Sequence, residues 1–154
     1  MLIKERCRVL DTYRELLDLL VRTPTRLRET AQAAGDAPEG EWSAAQVLAH
    51  MAATERLWLG RVSLLISERD PLLRPPSAEL AAQQESMMTG SVDDNLAAFN
   101  SARGETVSLL MGLSLIDWDR SGTHPTRGAL SIADVVEDIV DHDAEHLEQL
   151  EALA

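Results

Sequence analysis

At 154 residues, with 45% hydrophobic and 26% charged residues, the chain has the length and balance of one folded globular domain rather than a disordered segment. Its 26 acidic residues against 14 basic ones give a formal net charge of −12, which argues against duplex nucleic acid and anionic membrane surfaces as partners. The only aromatic residues are Tyr13, Trp42, Trp58, Phe99 and Trp118, so the core is expected to be aliphatic, and Leu- and Ala-rich cores favour helices.

Residues 1–154 are read as a single helical domain. The first twenty residues break their apolar positions with charges every few residues, unlike a signal peptide, and no stretch reaches a membrane-spanning length. Cys7 is the sole cysteine, so no internal disulfide can form, and the cytoplasm is the expected compartment. Apolar residues recur at helical spacing from Leu2 to Val21, and Pro24 is expected to end or kink this helix. A short helix over Leu27–Ala33 and a loop over Ala34–Gly40 follow.

Ser43-Ala44-Ala45-Gln46 reads as a capping box opening a second helix to about Glu68, ahead of Pro71. Leu72–Pro76 is a connection, and Ala78–Met88 a short helical piece. Ser91-Val92-Asp93-Asp94 caps a third helix through Leu96, Phe99, Leu110 and Met111, in which Gly104 marks a place where the helix could break. Asp117–Gly128 is a loop with Gly122, Pro125 and Gly128 as breakers, and Ser131-Ile132-Ala133-Asp134 caps a last helix running almost to Ala154. No strand is expected. The fold class is all-α, a four-helix bundle with long crossover connections.

His142 and His146 stand four apart on the last helix, about 40° and one turn apart, so both imidazoles can reach one cation. Ile132, Val135, Ile139, Leu150 and Leu153 share their stripe, which turns both rings inward. His50, near Val47, Met51 and Thr54 on the second helix, offers a third nitrogen. Three histidines would leave one coordination position open, and imidazole suits zinc, nickel, copper and iron alike. Spacing alone also allows three hydrogen-bonded core histidines.

Two segments carry a family resemblance. Glu41-Trp42-Ser43 through His50-Met51, and His142-Asp143-Ala144-Glu145-His146-Leu147-Glu148-Gln149, resemble the signature regions of the DinB-like superfamily. The loop His124-Pro125-Thr126-Arg127-Gly128 is similar to that family's lead-in to the last helix. The resemblance covers essentially the whole chain and implies a four-helix bundle in which His50, His142 and His146 bind a divalent metal. It further implies kinship with S-transferases that use low-molecular-weight thiols such as bacillithiol or mycothiol.

The expected chemistry is a metal-dependent transferase activating such a thiol for attack on a small electrophile. A metal-dependent hydrolase is one alternative, and a non-catalytic metal-binding stress protein is another. A homodimer is expected. Asp143 is not read as a zincin-type base, because only eight residues remain after His146; it is expected to orient a ligand or cap a contact, and Asp138 to lie on an exposed face. A carboxylate-bridged di-iron site is excluded, since Val47 stands where the second helix would need Glu. Arg61, Arg56 and Arg127 are the candidate anion receivers. Trp42 is expected to staple the second helix, Trp58 and Met51 to be core, with Trp58 able to line a pocket near the metal. His124 is assigned to a turn, and Cys7 is expected to be a packed thiol.

Overall fold

The computed structural model describes residues 3–75, 78 and 88–154. Four long helices dominate: α1 (Ile3–Ala33), α2 (Ala44–Ser67), α3 (Val92–Met111) and α4 (Ile132–Glu151). The helix expected over Ala78–Met88 lies, apart from its two end residues, outside the described residues, as does the side chain of Cys7.

The helix starts follow their caps. Ser43 Oγ accepts from the Gln46 N–H (3.2 Å) while Gln46 Oε1 accepts from the Ser43 N–H (2.9 Å). Ser131 and Asp134 reciprocate in the same way at 3.1 and 2.9 Å. Ser91 Oγ accepts from the Asp94 N–H at 3.0 Å. Each cap satisfies backbone donors that a helix start otherwise leaves orphaned, worth about 1 kcal/mol. Gly104 does not break α3, where it sits exposed with nothing near its missing Cβ.

Two expectations fail. Pro24 does not end the first helix; α1 runs through it. The carbonyl that Pro24 cannot serve is that of Leu20, and Arg103 Nη1 donates to it at 3.0 Å, so the lost helical bond is replaced from α3. The loop before α4 is also not strand-free. After a 3-10 turn at Asp117–Asp119, β1 (Ser121–His124) pairs antiparallel with β2 (Gly128–Ser131). These strands are four residues long, too short for alternation to register.

α1 packs on α3 and α4, and α2 packs on the same two helices, which leaves α1 diagonal to α2 and α3 diagonal to α4. The α1–α2 and α3–α4 connections therefore cross the bundle, as expected of long crossovers. The hairpin holds residues 71–73 on the bundle: Thr123 N–H donates to the Pro71 carbonyl and Leu73 N–H to the Thr123 carbonyl, both at 2.9 Å. Gly122 makes that approach possible, since a Cβ there would meet the Pro71 carbonyl at 2.6 Å.

The core has two apolar layers. One gathers Leu20, Val62, Leu65, Leu110, Val135 and Ile139; the other gathers Leu27, Val47, Met51, Phe99, Leu147 and Leu150. Between them in every helix stands a buried polar side chain: Thr23 in α1, Glu55 in α2, Arg103 in α3 and Asp143 in α4.

Candidate metal centre

α2 and α4 lie side by side, and their histidines meet across the contact. His50 Nε2 lies 3.1 Å from His142 Nε2, which lies 2.9 Å from His146 Nε2. One ligand atom from each of the three lies within 4.8 Å of the others, a grouping that could hold a metal ion. His146 is buried, and His50 and His142 are half-buried.

Second-layer contacts orient the rings. Gln149 Oε1 lies 2.8 Å from His146 Nδ1; as an acceptor it fixes the proton on Nδ1 and leaves the Nε2 lone pair facing the cluster. The Trp58 ring packs edge-on to His142 with centroids 4.7 Å apart, and Trp42 stands 5.2 Å from His50. Trp42 thus forms a wall of the histidine cluster in addition to preceding the α2 cap.

The electrostatics favour the neutral form of His142 and His50. Burial, reinforced by His146, His50 and Arg103, pushes His142 down to about 3. Burial and His146 also lower His50, against a smaller opposing pull from Glu145.

The donor set fits a metal. An imidazole nitrogen carries either a proton or an in-plane lone pair, so the two close contacts of His142 Nε2 cannot both be ordinary hydrogen bonds once His146 Nε2 is an acceptor. A single cation facing three lone pairs satisfies all three nitrogens. At about 2.0–2.1 Å from each, it would set neighbouring nitrogens about 2.9 Å apart at a right angle and about 3.4 Å apart at the tetrahedral angle. The separations of 2.9 and 3.1 Å fall in that span.

The other residues singled out from the sequence sort clearly. Asp143 does cap a contact, but away from the histidines and far from an exposed face: its carboxylate accepts from Arg103 at 2.8 and 2.9 Å and lies 3.0 Å from the Thr23 hydroxyl. Asp138 pairs with Arg127 near the surface at 2.6 Å, which removes Arg127 as an anion receiver. Arg56 is exposed, whereas Arg61 is half-buried on the wall of a cavity. The His124 Nδ1 accepts from the Thr126 and Arg127 N–H groups at 3.2 Å each, a turn role as expected.

The sequence reading missed Arg103 and Glu55. Arg103 donates to both Glu55 oxygens (2.8 and 2.9 Å), to both Asp143 oxygens and to the Leu20 carbonyl. Burial works against its charge, but the hydrogen bonds from Glu55 and Asp143 more than offset that and hold it above the ordinary arginine value. For Asp143, burial raises the carboxyl and the Arg103 contacts only partly offset the rise. The available signal was a charged residue on the apolar stripe of each of three helices, such as Arg103 four after Phe99 and Asp143 four after Ile139.

The geometry joins a wider pattern. A family model of the DinB superfamily matches residues 8–150. The chain belongs to the DinB superfamily. Among solved structures this DinB-superfamily chain is similar to YfiT from Bacillus subtilis, described as a probable metal-dependent hydrolase with an unusual four-helix bundle topology. The TM-score is 0.79 at 22% identity, over 92% of this chain and 85% of that one, a likeness that shows the shared fold. No curated protein matches.

Proposed function

We propose that this DinB-superfamily protein is a metal-dependent transferase: His50, His142 and His146 hold one divalent transition metal (zinc, nickel or iron), where a low-molecular-weight thiol is activated for transfer to a small electrophile. The observation that carries the reading is the convergence of three Nε2 atoms from two helices, with no carboxylate in the cluster among the described residues. Three protein donors leave a position for a further ligand. A metal so held supplies the acidity that keeps a thiol ionised, and hence nucleophilic, at neutral pH.

The chain's own residues do the rest. Burial keeps His50 and His142 neutral, so no proton need be displaced before they bind. Gln149 holds the His146 lone pair toward the centre, and Trp58 and Trp42 wall the cluster with apolar surface that limits water. Asp143, next to His142 in sequence, is committed to Arg103.

Hydrolysis is the second reading, supported by the fold shared with YfiT, itself described as a probable metal-dependent hydrolase. The two are separated by incubating zinc-, nickel- and iron-loaded protein with a halogenated aromatic electrophile and, in turn, bacillithiol, mycothiol, glutathione and coenzyme A. Metal-dependent thioether formation, lost in His50→Ala, is the expected result. Metal-dependent ester hydrolysis with no thioether formed would replace the transferase reading by the hydrolase one. Bound metal with neither activity would leave a metal-binding protein without catalysis.

A further inference from the structure

Beside the histidine cluster lies a cavity of about 520 Å³, within the range of small-molecule sites. Leu57, Trp58, Leu64, Leu72 and Leu73 make its walls apolar, and Arg61 supplies a cation. We infer that this cavity binds the electrophilic co-substrate, and that the co-substrate is a small monocarboxylate whose apolar body packs on Trp58 and whose carboxylate is received by Arg61.

Position is the first support. His50, Thr54, Trp58 and Arg61 follow one another at helical spacing along one face of α2, and Thr54 Oγ1 donates to the His50 carbonyl at 2.8 Å. From His50 to Arg61 the helix rises about 16 Å. Trp58 belongs to both places, lining the cavity and packing on the His142 ring. A molecule anchored at Arg61 therefore extends along Trp58 toward the histidines. The opposite wall, Leu72 and Leu73, is pinned by the β1 contacts and Gly122, so the site is preformed.

Charge is the second support. Among the described residues no carboxylate lies within ion-pairing distance of Arg61. Its one hydrogen bond among the described residues is a long 3.4 Å contact to the Arg74 carbonyl. Asp138, which does act on it, gives both oxygens to Arg127 at 2.6 and 3.2 Å. Burial lowers Arg61 from its ordinary value, against a smaller opposing pull from Asp138, so its charge is partly stripped of water. The planar fork of guanidinium matches a carboxylate. Arg74 is exposed, so among the described residues lining the cavity one cation is desolvated, which argues for a monoanion over a dianionic phosphate.

Which end of the ligand reacts rests on the metal-centre reading; binding itself does not. The test is calorimetric titration of the full chain, metal-free and zinc-loaded, with 4-phenylbutyrate and its neutral amide. The acid is expected to bind about ten- to a hundredfold more tightly than the amide, as a charge-assisted hydrogen-bonded pair provides. Arg61→Gln should abolish that preference with zinc content unchanged. Equal affinities in the wild type, absence of saturable binding, or an intact preference in Arg61→Gln would overturn the inference. If Arg61→Gln fails to fold, Arg61→Lys decides: a clearly weakened preference supports the fork, and an unchanged one overturns it. In the wild type, no acid preference with zinc bound defeats only this inference, and acid preference without zinc binding defeats only the metal-centre reading.

Discussion

Arg103 takes the hydrogen-bonding place that Pro24 leaves empty, its Nη1 donating to the Leu20 carbonyl at 3.0 Å while the same guanidinium holds Glu55 and Asp143. One side chain of α3 thereby ties the other three helices together in a layer between the two apolar clusters. Arg103→Met would leave two buried carboxylates without their cation and is expected to cost about 3–5 kcal/mol in urea unfolding. Pro24→Ala restores the helical N–H and should stabilise the wild type. In the Arg103→Met background it should stabilise by about 1 kcal/mol more, because the Leu20 carbonyl is then unserved. Equal effects of Pro24→Ala in both backgrounds would show that the two residues are not coupled.

That layer also marks where the sequence was opaque. The helix starts were legible because a cap is local: Ser43 with Gln46, and Ser131 with Asp134, need no knowledge of the rest of the chain. His142 and His146 were legible for the same reason, being one turn apart on one stripe; His50 was legible as a third nitrogen on the inner side of the second helix, and the family resemblance joined it to the other two. Arg103 lies 48 residues from Glu55 and 40 from Asp143, so their meeting depends on helix order that no local pattern encodes. The carbonyl left unserved by Pro24 is met by that same distant side chain. The β1–β2 hairpin was hidden for a different reason, since its stability comes from docking on residues 71–73.

Acidification should weaken the metal-free fold through the histidines. His142, pushed down to about 3, and His50, also lowered, return to the ordinary 6.5 when the chain unfolds. Between those values the unfolded chain binds protons that the folded chain refuses, so this stability is complete above 6.5 and is lost as the pH falls toward 3. The thermal midpoint of chelator-treated protein should fall as pH drops through this window, and less steeply in His142→Ala. An identical slope in the two proteins would contradict the assignment.

Gly122 should tolerate no side chain. Gly122→Val places a Cβ against the Pro71 carbonyl, a backbone atom that cannot move aside cheaply. A loss of about 1–3 kcal/mol in urea unfolding is expected. Near-wild-type stability would mean that the hairpin is not seated on residues 71–73.

Nucleic acid is not expected as a partner. A net charge of −12 disfavours phosphate contacts, and fluorescence anisotropy with labelled duplex DNA at physiological salt should show no binding. A micromolar, steeply salt-dependent affinity would overturn this.

The metal content of purified, dialysed protein tests the three-histidine centre most directly, measured by elemental mass spectrometry on wild type and on the His142→Ala/His146→Ala double variant. The wild type should retain about one divalent transition metal per chain, released by chelator or by acid, and the double variant should retain almost none. Stoichiometric metal in a folded double variant would place the ion elsewhere and contradict the role assigned to His50, His142 and His146.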